Sequence, residues 1–149
     1  NIAVALDVCK QAGVDRSTAL KGMHKVQPDV GALVVWDLDL NNKRLRFVNG
    51  MAANDPVSTL QIWNVIADRY KTTEESTCVF FNSRDDRRSR TKQMIKLTFQ
   101  DIKPDYFFIR GDKVSKTTDA YSKNSPKTNT TAVGLEEQIE EVISNFKIV

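Results

Sequence analysis

The chain has 149 residues, of which 40% are hydrophobic and 28% charged, so it can form one soluble domain with a real core. Its formal net charge of only +3 argues against a general nucleic-acid coat protein. No apolar run approaches the roughly 20 residues that span a bilayer. Cys9 and Cys78 lie in apolar patterns without metal-binding spacing, so we expect reduced, buried thiols and no metal site.

The first 27 residues predict two helices. Helical spacing runs over residues 2–11, and Gly13 follows as a C-cap signal. Asp15 is a good N-cap for a second short helix over residues 17–24. Proline and glycine then interrupt the pattern at 28–31, so these helices need not belong to the sheet that follows.

A hairpin and a helix come next. Residues 32–38 and 44–49 predict two strands joined by a turn at 39–43. Asp55 as N-cap and Pro56 at the first helical position open a helix. Its apolar face repeats with a period near 3.6: Leu60, Trp63, Ile66, Ala67 and Tyr70.

The second half alternates strands with helices. Residues 77–82 and 106–109 are continuous apolar strands, and the first is expected to be a central strand covered on both faces. A helix over 89–102 lies between them, with five side chains facing inward: Met94, Ile95, Thr98, Phe99 and Ile102. Such alternation predicts crossover connections and a largely parallel sheet.

The last third is less regular. Residues 111–134 are polar and show no apolar period, which predicts a connection that is either functional or disordered. Within it, residues 113–127 are expected to form either a mobile lid or a solvated loop. A closing helix is expected over 135–146, with Leu135, Ile139, Val142, Ile143 and Phe146 on one stripe, and 146–149 resembles the start of another strand. Because the chain also begins with Asn1 and not with Met, we expect an excised part of a longer protein.

The predicted fold is therefore α/β: a Rossmann-like, mostly parallel sheet with a β-hairpin, preceded by two helices. Its last strand is expected to be missing.

The first candidate site is the charged loop after the strand at 77–82. It contains Arg84, Asp85, Asp86, Arg87 and Arg90, and it leads into the start of a helix. Ligands of open α/β sheets bind beyond the carboxyl ends of strands, and a helix N-terminus offers free N–H groups to an anion. Arginines bind phosphate and carboxylate bidentately. The alternative is a solvated turn in which the two aspartates pair locally with the arginines.

The second candidate site is the small-residue loop at 49–55. Gly50 permits close approach to the backbone, and Asn49, Asn54 and Asp55 supply polar atoms on the rim. The alternative is a helix cap and its turn. Both candidate loops follow strands expected to point the same way, so both should open on the same edge of the sheet.

Nucleotide-binding motifs are absent. The chain contains neither a GxxxxGK[ST] loop nor a GxGxxG fingerprint, so any triphosphate loop would have to lie on another part of the protein.

Several segments carry a family resemblance. Residues 1–6 and the helix that follows, up to Gly13-Val14-Asp15, are similar to the end of the central, ATP-binding domain of Mur-type ligases, where an Asn-x-x-x-Ala segment lies beside the nucleotide. Residues 28–33, 47–56 and 82–90 most resemble one branch of that superfamily, the capsule biosynthesis protein B or poly-γ-glutamate synthase ligase subunit. The sequence departs from other Mur ligases at Gly50, where they carry aspartate, and at 31–33, where they carry a hinge arginine.

The resemblance implies an ATP-dependent amide ligase that activates a carboxylate as an acyl phosphate for attack by an amine. Residues 1–27 would be the tail of the central ATP-binding domain, with Asn1 near the nucleotide, and 28–149 the C-terminal domain. ATP and Mg²⁺ would belong to the full-length parent, with no cofactor held tightly by this chain, which alone should be inactive.

The resemblance also implies partners and a location. Glutamate or poly-γ-glutamate would be the substrate, and other subunits of a membrane-bound capsule synthase would hold the parent at the cytoplasmic face of the membrane. Homo-oligomerisation stays open, and no specific nucleic acid is expected. The alternative function is a non-catalytic α/β module that binds an acidic partner or nucleic acid through the same arginines.

Overall fold

The computed structural model describes residues 2–27, 29–40, 43–71, 74–111 and 114–136. Contacts divide the chain into two compact units, Asn1–Ala52 and Ala53–Val149. The domain boundary expected at 27/28 comes from the family resemblance and stays a prediction.

The first unit contains two helices and a hairpin: α1 (Ile2–Gln11), α2 (Arg16–Lys25), β1 (Val34–Leu40) and β2 (Lys43–Asn49). Gly13 adopts φ +78° just after α1, a conformation that favours glycine at a helix end. The Asp15 carboxylate accepts hydrogen bonds from the backbone N–H groups of Ser17 (2.9 Å) and Thr18 (3.1 Å). Both helix signals in the sequence are thus confirmed.

The hairpin pairs antiparallel from Val34 opposite Asn49 to Leu40 opposite Lys43. Alternation gives it two different faces. On one face the rings of Trp36 and Phe47 stack across the strands with centroids 5.6 Å apart. On the other, Arg46 Nε donates to Asp37 Oδ1 at 2.8 Å.

The second unit is built around a parallel sheet. Its elements are α3 (Pro56–Tyr70), β3 (Cys78–Asn82), a 3₁₀ turn (Asp85–Arg87), α4 (Arg88–Leu97), a π turn (Thr98–Ile102), β4 (Tyr106–Arg110), α5 (Ser115–Ser122) and β5 (Asn129–Val133). The strand order is β3-β4-β5, and all pairings are parallel, with Asn82 level with Arg110 and Arg110 level with Val133. The predicted α/β fold with a parallel sheet and a hairpin is confirmed.

The core lies between this sheet and its helices. Phe99 meets Phe107 of β4 edge-to-face at 5.5 Å, and Ile95, Ile109 and Val114 complete that cluster. A second cluster joins α4 to Leu60 and Trp63 of α3. The inward face expected over 89–102 is confirmed, since all five of its side chains are buried: Met94, Ile95, Thr98, Phe99 and Ile102.

The unstructured connection expected at 111–134 is wrong, because the described part of it contains α5 and β5. Val114 and Thr118 are buried, and the Thr118 hydroxyl donates to the Val114 carbonyl at 2.9 Å. β5 can have a polar sequence because backbone hydrogen bonds to β4, more than buried side chains, hold it in the sheet. Among the five residues of β5, only Val133 is fully buried.

The central position expected for β3 is also wrong. β3 lies at one end of the described sheet, β4 occupies the centre, and Phe80 is 42% exposed. Both cysteines are free as expected, but neither is buried: Cys9 is half-buried and Cys78 exposed. An apolar run cannot reveal which strand finds neighbours on both sides.

Two other expectations concern the candidate loops that follow the strands and the C-terminal end of the chain. The two candidate loops do not leave the same edge of one sheet, because β2 pairs with β1 in a separate two-stranded sheet. The closing helix at 135–146 and the strand at 146–149 fall outside the described residues, apart from Leu135 and Glu136, which lie in a turn.

Candidate functional site

A shallow crevice lies where β3 and β4 end. Parallel pairing places Asn82 and Arg110, the last residues of these strands, side by side. The depression beyond them has a volume of about 450 Å³ and is lined by Asn82, Ser83, Arg84, Asp85, Asp86, Arg110 and Leu135. This is the edge at which open α/β sheets bind ligands. The structure therefore brings the start of the predicted arginine loop to a crevice.

The floor of the crevice is tightly packed. The Ser83 N–H donates to the Arg110 carbonyl at 2.8 Å, and the Gly111 N–H donates to the Val133 carbonyl at 3.3 Å. Gly111 has φ +151°, and a Cβ at this position would collide with the Ser83 side chain. The exits of the three strands are thus joined to one another, and glycine is required at 111 for that approach.

Arg84 pairs with Asp86. Its Nε and Nη2 donate to the two carboxylate oxygens at 3.0 and 2.9 Å. These bonds lower the pKa of Asp86, and the charge of Arg87, 3.9 Å away, lowers it a little further. The side chains of Arg84 and Asp86 are 64% and 56% exposed, so water screens the pair and it contributes little to stability. The local pairing weighed for this loop is present, but it is weak.

The remaining arginines gather at the start of α4. Arg87 occupies the N-cap position of α4, directly after the 3₁₀ turn, and its side chain makes no capping hydrogen bond. A second open depression, of about 440 Å³, lies here and is lined by Asp86, Arg87, Arg88, Ser89, Arg90 and Gln93. Arg87 and Arg90, predicted as site residues, are therefore together.

The 49–55 loop is used largely by the fold. The Asn49 amide nitrogen donates to the Val30 carbonyl at 2.8 Å, and its amide oxygen accepts from the Met51 N–H at 3.1 Å. Asn49 thus connects the turn at Val30 with the turn at Met51 through hydrogen bonds of its side chain. Asn54 is exposed, just before α3.

Asp55 caps α3 as the sequence predicts. Its carboxylate accepts from the Ser58 N–H at 3.0 Å. The hydrogen bonds from Ser58 lower the pKa of Asp55, and the positive charge of Arg90 adds a smaller lowering. Asp55 is therefore electrostatically coupled to the arginine loop. Asn1, expected near a nucleotide, falls outside the described residues.

Sequence reasoning missed Arg110. Its Nη2 donates to the Leu135 carbonyl at 2.7 Å. Its Nε is buried and finds no hydrogen-bond partner within the part of the chain that the structure describes. The sequence feature that could have indicated Arg110 is a single positively charged residue at the end of an apolar strand. It becomes meaningful only when parallel register places that strand end beside the end of β3.

Other chemistries find little support. No group of three or more His, Cys, Asp or Glu side chains that could hold a metal occurs among the described residues. Cys78 lies at the amino end of β3, and although the residue is exposed, the neighbouring atoms partly desolvate its thiol and raise the pKa to about 11, so little thiolate forms at neutral pH. None of the helices in the described ranges is long and apolar enough to cross a membrane.

Comparison with models of known protein families identifies the family of this chain. The family described as the poly-gamma-glutamate synthase CapB C-terminal domain matches residues 35–147, about three quarters of the chain. The chain belongs to this family. The resemblance drawn from its sequence segments is confirmed, and the matched range contains the crevice and the arginine loop.

Two relatives belong with it. Capsule biosynthesis protein CapB of Bacillus anthracis is 35% identical over 128 residues, which cover 86% of this chain and 27% of that protein. PGA synthase CapB of Bacillus subtilis (strain 168) is 33% identical over 123 residues, which cover 83% and 31%. The chain therefore spans less than a third of the length of these curated relatives. No solved structure matches it.

Proposed function

We propose that the chain is the C-terminal part of an ATP-dependent γ-glutamyl amide ligase that makes a capsule-type poly-γ-glutamate polymer. Membership of the CapB C-terminal domain family and the names of the two relatives support this function. The observation that carries it is the cluster of guanidinium groups at the carboxyl end of a parallel strand. A ligase acting on polyglutamate must hold anions at just such a place.

The proposed reaction joins a carboxylate to an amine through an acyl phosphate. The neutral amine attacks the activated carbonyl and forms the C–N bond, the C–O bond to phosphate breaks with phosphate taking the bonding electrons, and the surplus proton of the nitrogen passes to water. Arg87 and Arg90 neutralise the polyanionic chain or the phosphate of the intermediate. Electrostatic stabilisation of this type is commonly the largest catalytic contribution.

Arg84 becomes available to the substrate by exchange. Its pair with Asp86 is exposed to water and therefore weak, whereas a sheltered charge-assisted hydrogen bond contributes about 1.5–3 kcal/mol. A bound anion that excludes water from the crevice can therefore replace Asp86 as the partner of Arg84.

The incoming amine is positioned by the 54–55 region in this proposal. The lowered pKa keeps Asp55 ionised, so it can accept a hydrogen bond from an ammonium group while it caps α3. Exposed Asn54 offers a neighbouring amide. Asn49, which the sequence grouped with them, is engaged in its own turns and is the weakest of the three. The contribution would be one of proximity and orientation.

ATP and Mg²⁺ do not fit the described residues. A phosphate-binding GxxxxGK[ST] loop is absent from the sequence, and the described side chains form no acidic or histidine cluster for a metal. We therefore assign nucleotide chemistry to other parts of the parent. We also propose that the parent works at the cytoplasmic face of a membrane, held there by other synthase subunits.

Binding of the polymer by the isolated chain tests this function against the alternative of a nucleic-acid module. Fluorescence anisotropy should show saturable binding of labelled poly-γ-glutamate at about 0.15 M salt, where exposed charges are screened beyond about 8 Å. Single-stranded DNA of matched charge should bind more weakly. The same preparation should not hydrolyse ATP.

Two double variants sharpen the result. Arg87→Ala/Arg90→Ala should weaken polymer binding by about tenfold or more, since it removes two charge-assisted contacts. Lys92→Ala/Lys96→Ala removes the same charge from exposed positions of the same helix and should have little effect. Equal loss in both variants, or a preference for DNA, would reject the ligase assignment for this surface.

A further inference from the structure

We propose that Arg110 anchors a separate carboxylate subsite in the crevice between the β3 and β4 exits. The subsite itself rests on the geometry of the second unit. Only the identification of the carboxylate with glutamate or a γ-glutamyl end rests on the proposed function.

The guanidinium of Arg110 is held in place before any ligand arrives. Arg110 ends the central strand, where its backbone carbonyl accepts from the Ser83 N–H. Its Nη2 is fixed on the Leu135 carbonyl at 2.7 Å. One side of the planar group is thus occupied, and the fork is oriented relative to the crevice. A fixed guanidinium loses less conformational freedom on binding a carboxylate than an exposed one.

Within the described residues the charge of Arg110 has no counterion, because Arg110 forms no ion pair there and its buried Nε–H donates to no acceptor. An unsatisfied buried donor is costly, and buried polar groups are almost always paired in folded proteins. Arg84, on the same crevice, is by contrast already bound by Asp86. The unmet hydrogen-bonding capacity of the crevice therefore lies at Arg110.

The surroundings favour a carboxylate over a phosphate. Asp85 and Asp86 also line the depression, and only Asp86 is neutralised by an arginine among the residues seen in the structure. Their negative charge opposes a dianion more strongly than a monoanion. A carboxylate needs two donors in a plane, and the Arg110 guanidinium has N–H groups besides the one on Nη2 that the Leu135 carbonyl accepts, while Asn82 and Ser83 provide further polar atoms nearby.

Arginine side-chain NMR tests the subsite directly. The Arg110 Nε–H signal of the 149-residue chain, assigned in the wild type by through-bond correlation to the Arg110 backbone signals, is followed during titration with L-glutamate, inorganic phosphate or sodium chloride at equal ionic strength. Glutamate should shift this signal saturably, and more strongly than phosphate does at equal concentration. Arg110→Lys keeps the charge but loses the fork, so glutamate affinity, followed by backbone signals of Ser83 and Gly111, should fall about 10- to 100-fold.

Arg69→Lys is the matched control. Arg69 is an exposed arginine of α3 that lies over the Tyr70 ring, so its replacement should leave glutamate binding unchanged. Should Arg110→Lys fail to fold, as a thermal melt would show, the wild-type titration still decides. An unmoved Arg110 signal, the same shift with chloride, or a stronger response to phosphate overturns the proposal. Glutamate binding at Arg110 without any binding of the polymer would reject the proposed function and retain the subsite.

Discussion

At the scale of single residues, the arginines of the strand exits and of the start of α4 differ in what they contact. Arg84 is occupied by Asp86 in an exposed pair, while Arg87 and Arg90 line the second depression at the start of α4. Arg110 is half-buried and held by the Leu135 carbonyl, and its Nε finds no acceptor among the described residues. A charge count along the sequence treats the four alike, whereas their partners assign them different roles.

Gly111 is the residue on which the geometry of the crevice depends. We predict that Gly111→Ala destabilises the chain by about 1–3 kcal/mol, because a Cβ would collide with Ser83 and φ +151° strains any L-residue. Urea unfolding measures it. Gly22 provides the control, because its missing Cβ would meet open space in the middle of α2. Gly22→Ala should stabilise by about 0.5–1 kcal/mol; a Gly111→Ala variant as stable as wild type would refute this account of the loop contact.

At this scale, interactions between residues close in sequence could be predicted, whereas interactions between residues far apart in sequence could not. Asp15 and Asp55 act on N–H groups two or three residues away, so their capping follows from the sequence itself. The meaning of Arg110 depends on β4 ending level with β3, a register that connects residues 28 positions apart. The sequence therefore predicts the arginine loop that lines the crevice, but it does not predict that the ends of β3 and β4 meet there.

At the scale of elements, helices with an apolar stripe were predictable and polar elements were not. The 89–102 helix showed its buried face in sequence, although its change to a π turn at Thr98–Ile102 did not show. α5 and β5 lack an apolar period because α5 contributes few enclosed side chains and β5 is held by hydrogen bonds to β4. A strand that is held mainly by backbone hydrogen bonds to its neighbour has no clear apolar pattern in its own sequence.

The central position of β4 has a measurable consequence. Phe107 of β4 is completely buried, whereas Phe80 of β3 is 42% exposed. We predict that Phe107→Ala costs about 3–5 kcal/mol, through lost burial and the cavity left behind. Phe80→Ala should cost less than about 1 kcal/mol, as expected for a side chain that keeps contact with water. Chemical denaturation of both variants checks the order; equal losses would contradict the sheet order described.

At the scale of the whole molecule, family and fold agree, and the proposed reaction also needs parts of the parent outside this chain. The matched family covers 35–147, and the relatives are more than three times as long as the aligned region. The absent phosphate loop fits a division of labour in which nucleotide chemistry occurs elsewhere in the parent. What this chain offers is a parallel sheet whose carboxyl edge presents guanidinium groups.

Polymer synthesis by the full-length parent tests the central claim most directly. The parent carrying Arg87→Ala/Arg90→Ala is compared with wild type and with Lys92→Ala/Lys96→Ala in ATP-dependent formation of poly-γ-glutamate, beside a thermal melt of each protein. We predict that the arginine variant loses about 10- to 100-fold of synthesis with an unchanged melting temperature, while the lysine variant retains activity. Unchanged synthesis in the arginine variant would show that the loop is a solvated turn. Lost synthesis with a lowered melting temperature would show that these arginines serve the fold.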